Sequence, residues 1–131
     1  MDRRVINPWT WQNEMGFAQA FEVTNVTRTL ICSGQTSVSP EGQPMHEGDM
    51  RAQINLALDN LQAVLDQAGY DVSNIVRLDF FTTDVDQFFA AFDILGERLN
   101  AAGCVVPGTL LGVSRLAFPE LMVEIEAMAM K

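Results

Sequence analysis

Alternation of apolar and polar residues is clearest near the C-terminus, over residues 121–129. Side chains on a β-strand point alternately to its two faces. One face of this predicted strand is wholly apolar, whereas the other carries Met122, Glu124, Glu126 and Met128. Two interpretations fit carboxylates between methionines. They indicate either a solvated outer face, since Glu is rarely buried, or a pocket wall that tunes a carboxyl group for proton transfer.

The first two thirds of the chain contain further strand and helix patterns. Residues 18–24 and 27–32 alternate well enough to predict two strands joined by a tight turn at Asn25. After a loop rich in proline and glycine, Asp49 opens a stripe of apolar residues at helical spacing that ends at Gly69. Alternation then returns over residues 75–82, which predicts a third strand.

A second helix and two more strands complete the predicted order. The helix follows the acidic N-cap Asp84, has its apolar residues over 85–99, and stops before Gly103. Strands are predicted at about 109–117 and 121–129. The order β-β-α-β-α-β-β predicts an α/β sandwich, with one mixed sheet and two helices on one face. Because nothing is left to cover the second face of the sheet, we expect an oligomer.

Length and the metal-ligating residues limit the classes of protein that fit. A chain of 131 residues predicts a single domain, 1–131, able to bury about two thirds of its unfolded surface. Cys32 and Cys104 match no metal-ligand spacing and are interpreted as reduced thiols. His46 is the only histidine, which argues against multi-histidine metal sites and leaves at most this residue for a serine–histidine triad. We therefore expect no metal and no cofactor.

Net charge excludes further partners. Eight basic and seventeen acidic residues give a charge of −9, which should repel nucleic-acid phosphates and anionic membranes. No apolar run is long enough to span a bilayer. The arginine pair at residues 3–4 is not followed by an apolar export signal. The sequence predicts a soluble, cytoplasmic protein with no nucleic-acid or membrane partner.

Several short segments together resemble one protein family. They are Gly16–Ala20, Ser33–Gln35, Gln53–Gly69, Val76–Asp84, Arg115-Leu116 and Val123–Ala127. In this order and at this spacing, from about residue 16 to residue 130, the chain resembles the RidA family, also called the YjgF/YER057c/UK114 family. That family comprises small reactive-imine deaminases and ligand-binding relatives.

The resemblance implies a chorismate-mutase-like fold and a homotrimer whose sheets pack into a central barrel. It also implies three clefts between subunits, each lined by the Ser33–Gln35 loop, by the residue after the first glycine, Phe17, and by the C-terminal strand pair. In active relatives an arginine binds the substrate carboxylate. A glutamate with a bound water hydrolyses an imine or enamine to a carbonyl and ammonia.

This sequence departs from the family pattern at the arginine. In the family it follows a proline after the second helix, and here that position falls on Gly108 or Thr109, depending on where a one-residue gap is placed. Arg115 matches a different family arginine, and the pocket tyrosine of many relatives is Phe17. These changes predict a ligand that is less anionic and more apolar than an α-imino acid.

Two functional hypotheses follow, and the sequence does not decide between them. The first is a hydrolase of the deaminase type, with Glu124 as proton relay and Glu126 as second choice. The candidate substrate-binding residues in that site are Phe17, Ser33, Gly34, Gln35, Thr109 and Leu110. The second is a non-catalytic trimer that binds a small metabolite or a protein partner; a purely structural trimer is a third. The missing arginine favours binding, and the two carboxylates favour the enzyme.

Overall fold

The computed structural model describes all residues, 1–131. Its main feature is a mixed β-sheet packed against helices. The strands are β1 (Asp2–Ile6), β2 (Ala20–Thr24), β3 (Thr29–Ile31), β4 (Gln35–Thr36), β5 (Ile75–Thr82), β6 (Leu110–Gly112) and β7 (Val123–Met130). The helices are α1 (Met50–Ala68), α2 (Val85–Ala90) and α3 (Phe92–Arg98). None of them is long and apolar enough to cross a lipid bilayer.

The main sheet has the strand order β3-β7-β5-β6, and β4 also pairs with β7. Strands β5 and β6 run parallel and the other pairs antiparallel, which confirms the predicted mixed sheet. A separate antiparallel pair joins β2 to β1, a strand that the sequence did not predict. All five residues of β1 are exposed, so backbone pairing rather than a buried apolar face holds this strand in place. The chain bends at Asn25, whose φ is 55°. The two strands that this residue was predicted to join do not pair with each other, because β2 pairs with β1 and β3 with β7 of the main sheet.

Helix α1 begins and ends where its sequence signals predicted. The Asp49 carboxylate accepts a hydrogen bond from the Ala52 N–H at 3.0 Å, which satisfies one free donor of the first turn. Gly69 ends the helix in the left-handed region, with φ of 75°. Its apolar stripe is buried against the sheet, at Met50, Ile54, Ala57, Leu58, Leu61 and Leu65.

The second predicted helix is wrong as a single element, because it forms two short helices. The break lies at Ala91, whose N–H donates to the carbonyl oxygen of Phe88 at 3.1 Å, three residues back. Such bonding tightens a helix locally and turns its axis. No proline or glycine marks the break, so the sequence pattern did not show it. The acidic N-cap is as predicted, since Asp84 accepts a hydrogen bond from the Gln87 N–H at 3.0 Å.

The predicted strand at 109–117 is also too long, because β6 covers only Leu110–Gly112. Its partner β5 ends at Thr82, which pairs with Gly112, so no further strand is available for continued pairing on that side. The chain instead crosses to β7 through a loop over residues 113–122.

The two faces of the sheet differ as the alternation predicted. On β7 the apolar face is fully buried under α1, through Val123, Ile125, Ala127 and Ala129. The other face, here called the open face, carries Glu124 and Glu126, whose cross-strand partners on β5 are Phe81 and Asp79. At its margins Ile31 and Leu111 are 75% and 48% exposed. An uncovered sheet face with exposed apolar residues is typical of an interface.

Candidate functional site

Glu124 and Gly34 meet on the open face of the sheet. Pairing of Thr36 with Glu124 brings the β4 segment next to β7. A Cβ atom on Gly34 would overlap the Glu124 carboxyl group, so the absence of a side chain at residue 34 makes room for it. The structure therefore brings together two of the residues that the sequence placed in one site.

Backbone donors lie in the same loop. The N–H groups of Ser33 and Gly34 donate no hydrogen bond within the chain. The Gln35 side chain turns back to donate to the Ser33 carbonyl oxygen at 3.2 Å. Free N–H groups beside a carboxyl group can hold an oxygen atom of a ligand.

The two glutamates of β7 lie in different environments. Glu124 is half-buried, and burial followed by the charge of Glu126 raises the pKa of its carboxyl group above the ordinary value. Glu126 is exposed to solvent. Desolvation of the charged form is one of the ways in which a protein prepares a carboxyl group for proton transfer near neutral pH.

A cavity of about 230 Å³ lies on the opposite, helix-covered face of the sheet. Its walls come from α2, α3, the first residues of β6, and the segment around Phe17. Of sixteen lining residues twelve are apolar, and these include Phe17, Phe80, Phe88, Phe89 and Phe92. The cavity is thus an apolar space with five phenylalanines in its wall.

The segment before β6 fixes one wall of this cavity. A Cβ atom on Gly108 would overlap the carbonyl group of Leu78, so only glycine allows this close approach of two backbones. The next residue, Thr109, donates its backbone N–H to Asp79 Oδ1 at 2.8 Å. Its carbonyl oxygen accepts from the Phe80 N–H at 2.8 Å. Thr109 therefore lines the cavity while its backbone contacts a carboxylate of the open face.

The structure divides the predicted site residues into two groups. Phe17, Thr109 and Leu110 line the cavity. The other five do not line it and belong to the β4 loop or to the open face; they are Ser33, Gly34, Gln35, Glu124 and Glu126. Within one chain the sheet lies between the cavity and the two glutamates.

Sequence reasoning missed most of the aromatic lining. Apolar residues at helical spacing are usually core residues, and Phe88 of the second predicted helix is indeed fully buried. Phe89, however, is 45% exposed, and it lines the cavity together with Phe88 and Phe92. Phe88 and Phe89 are adjacent, and adjacent residues of a helix cannot both lie on one buried stripe. The sequence signal for an aromatic residue outside the core was therefore this pair. Cys104 also lines the cavity, and burial raises the pKa of its thiol to about 12.

No cation lies at the cavity or in the segment from Pro107 to Ser114. Arg77 is held by Asp79 through an ion pair of 2.9 Å. Arg115 donates to the carbonyl oxygens of Leu116 and Ala117 in the loop that follows β6. No group of three or more His, Cys, Asp or Glu side chains is arranged to hold a metal ion.

Comparison with known proteins identifies the family. The family model described as Endoribonuclease L-PSP matches residues 12–131. A RutC family protein of Pasteurella multocida is 33% identical over 88% of this chain and 87% of its own. The crystal structure of a conserved Rid family protein, YyfB from Yersinia pestis, has a TM-score of 0.86 and 34% identity over the whole of both chains. The chain belongs to the RidA family.

A solved structure that contains serine is also similar. The crystal structure of Escherichia coli TdcF with bound serine has a TM-score of 0.69 and 26% identity, over 88% of this chain and 87% of that one. The likeness to Rid structures confirms the predicted fold class, a mixed sheet with helices as in chorismate-mutase-like proteins. At identities near one third, the chemistry of the RidA site has to be derived from this chain's own side chains.

Proposed function

We propose that this protein is a small-molecule hydrolase of the deaminase type, acting on a neutral imine or enamine at clefts between the subunits of a homotrimer. Membership of the RidA family supports a small-molecule or imine-directed role. The observation that carries the enzyme proposal is the half-buried Glu124 carboxyl group beside Gly34, with unpaired N–H groups in the same loop.

Hydrolysis of an imine needs water and two proton transfers. The water oxygen bonds to the imine carbon as Glu124 accepts a proton from that water. The carboxyl group passes this proton to nitrogen, which gives a carbinolamine. Glu124 then takes the second proton, from the new hydroxyl group, and passes it to the amine. The C–N bond breaks, its electron pair leaves with nitrogen as ammonia, and the carbonyl forms. Burial raises the pKa of the Glu124 carboxyl group above its ordinary value, so this group holds a proton more readily than a solvated glutamate does, which suits it to carry protons from water to nitrogen.

The loop before β4 supplies the second element of the proposed site. The N–H groups of Ser33 and Gly34 would hold an oxygen atom of the ligand or of the tetrahedral intermediate. Hydrogen bonds to a developing negative charge are stronger in the transition state than in the ground state. Gly34 has to remain a glycine for Glu124 to stay beside these donors.

The surrounding charges support a neutral substrate. The open face carries Glu124, Glu126 and Asp79, and the one cation paired there, Arg77, is bound to Asp79. A substrate carboxylate would meet repulsion and no free guanidinium. An uncharged imine meets neither, so we propose that α-imino acids are poor substrates.

Assembly into a trimer is part of the proposal. Within one chain the cavity and Glu124 lie on opposite faces of the sheet. A cleft in which the cavity of one subunit meets the open face of the next would unite the two groups. Without such a cleft the cavity can still hold a ligand that never reaches Glu124, and this observation supports the alternative, a non-catalytic binding protein.

The test compares Glu124→Gln with its matched control Glu126→Gln in a coupled imine-hydrolysis assay. Gln keeps the shape of Glu but cannot exchange a proton at neutral pH, so Glu124→Gln should abolish turnover and leave the assembly mass unchanged. Glu126→Gln should lower turnover less, since Glu126 is exposed. Full activity in Glu124→Gln removes the case for this mechanism. If both variants change stability by less than about 0.5 kcal/mol and leave ligand binding and turnover unaltered, Glu124 is an ordinary solvated residue.

A further inference from the structure

We propose that the cavity under α2 and α3 binds a phenyl-sized apolar group of the substrate, so that the substrate is a neutral compound with an aromatic ring. This inference rests on the proposed function and names the substrate class of the same site. It is argued from the size, the walls and the charge of the cavity.

The size of the cavity fits one ring with a short attachment. Its volume is about 230 Å³. An apolar cavity of about 150 Å³ is large enough to bind benzene. The remaining space admits the one or two carbons that join a ring to a reacting group, whereas a methyl or hydroxymethyl substituent would leave most of the cavity unfilled.

The walls present aromatic edges and faces at fixed positions. The ring centroid of Phe88 lies 5.4 Å from that of Phe80 and 6.2 Å from that of Phe92. On the other side, Phe17 contacts Trp11 edge to face, with centroids 5.7 Å apart. Such tilted arrangements are the ones that aromatic rings prefer, and they allow a further ring to join the cluster in the same geometry.

The cavity carries no charge at neutral pH. None of its lining residues is Asp, Glu, Lys, Arg or His, and the buried thiol of Cys104 stays protonated because its pKa is about 12. With its amide nitrogen turned toward them, Asn100 donates to the carbonyl oxygens of Gly16 at 3.1 Å and Cys104 at 3.2 Å. Burying an unpaired charge in such surroundings is strongly unfavourable, so the group that enters has to be neutral.

The cavity opens where the reacting end of a ligand would be needed. Met15, Phe89 and Thr109 line the cavity and are exposed, so they form its rim. The hydroxyl group of Thr109 has no hydrogen-bond partner in the chain. Thr109 directly precedes the edge strand β6, and its backbone N–H donates to Asp79, a residue of the open face. A ligand with its ring among the phenylalanines would therefore present its polar end at this edge, where the proposed inter-subunit cleft places Glu124 of a second copy.

The experiment measures binding by protein NMR, without requiring turnover. Phenylacetone, the neutral ketone that hydrolysis of a matching imine would release, is titrated into the wild-type protein. Acetone lacks the ring, and phenylpyruvate has a carboxylate in place of the methyl group of phenylacetone. We expect phenylacetone to bind about a hundredfold more tightly than acetone, because its ring removes a large apolar area from water. We expect phenylpyruvate to bind more weakly than phenylacetone, and we expect the shifted resonances to include those of Phe88 and Phe92.

A pair of variants at the rim tests the location. Thr109→Trp should fill the mouth of the cavity and lower phenylacetone affinity at least about tenfold, since the ring would lose most of its buried area. Thr83→Trp, the matched control, introduces the same side chain at an exposed threonine that does not line the cavity, and should bind phenylacetone like the wild type.

Phenylacetone that binds no more tightly than acetone, or equally well to Thr109→Trp and wild type, overturns the inference. The inference also fails if a side chain of a second copy already fills the cavity. In that case phenylacetone would not shift the Phe88 or Phe92 resonances of the wild-type protein. Turnover assays of the wild-type protein, set beside its phenylacetone titration, separate the two proposals. Phenylacetone binding without turnover of any imine supports the cavity assignment and contradicts the hydrolase, whereas turnover of short aliphatic imines without phenylacetone binding does the reverse.

Discussion

Glu124 on β7 and Gly34 before β4 lie so close that only the missing side chain of the glycine leaves room for the carboxyl group. Gly34 is not in the left-handed region, so the requirement at this position is for space and not for an unusual backbone conformation. This contact couples the loop with free N–H donors to the carboxyl group that we propose as proton relay.

The first prediction concerns that contact. In Gly34→Ala the new methyl group would overlap the Glu124 carboxyl, so we expect a loss of about 1–3 kcal/mol in the free energy of unfolding. Any turnover should fall as well, because the carboxyl group has to move. Urea unfolding and the imine assay measure the two effects.

Gly96→Ala is the matched control for this substitution. Gly96 lies inside α3, and nothing would contact an added Cβ there. Because alanine favours helix more than glycine does, this variant should be stabilised by up to about 1 kcal/mol and keep its activity. A Gly34→Ala protein as stable and active as the wild type would show that the contact is unimportant.

A second prediction follows from the protonation of Glu124. Since burial raises the pKa of its carboxyl group, the folded chain binds this proton more tightly than the unfolded chain does. The resulting stability is fully present below the unfolded pKa and is lost as pH rises through the folded pKa. Relative to wild type, Glu124→Gln should therefore gain in thermal midpoint as pH rises from about 4 to about 7. A difference between the two proteins that is constant across this range would mean that Glu124 titrates normally.

The third prediction concerns the residue that corresponds to the family arginine. Gly108 has no room for a side chain beside Leu78, so Thr109 is the position at which an arginine can be introduced. We expect the wild type to hydrolyse imines of simple amino acids far more slowly than arginine-containing relatives do.

Thr109→Arg should raise that rate by about tenfold or more, because a guanidinium group binds a carboxylate through two hydrogen bonds. Thr109→Lys, with the same charge but no planar fork, should raise it less. The measurement compares the hydrolysis rates of amino-acid imines by the wild type, the two variants and an arginine-containing relative. Equal rates in wild type and relatives would mean that another cation, such as Arg115 or one from a neighbouring subunit, binds the carboxylate.

The fourth prediction is the oligomeric state. We expect sedimentation at micromolar concentration to give three times the protomer mass of 14.5 kDa. Ile31→Asp should lower this mass, because a charge would enter the uncovered sheet face at a residue that is 75% exposed in the single chain. Met45→Asp, which changes an exposed apolar residue of a loop instead, should leave the mass unchanged. A wild-type protein that sediments as a monomer would contradict the trimer and the site between subunits.

Local signals determined much of the fold. The alternation over residues 121–129 correctly assigned the buried and open faces of β7, since a strand's two-residue period depends only on the sequence. The caps of α1 at Asp49 and Gly69 were equally readable, because they satisfy local backbone groups. The early end of β6 and the strand β1 were not, since each depends on a partner distant in the chain. The break at Ala91 is local, but no proline or glycine marks it in the sequence.

The candidate site, like the fold, could be predicted from the sequence only in part. The sequence by itself determined which residue types were present: two carboxylates on one strand face, the Ser33–Gln35 loop, and no cation between Pro107 and Ser114. Only the tertiary structure decided that Gly34 contacts Glu124, that Gly108 excludes a side chain, and that Phe17 and Thr109 lie across the sheet from Glu124. The physical reason is that alternation and spacing fix where a side chain points within its own element, whereas its distance to a residue on another element is set by how the backbones pack.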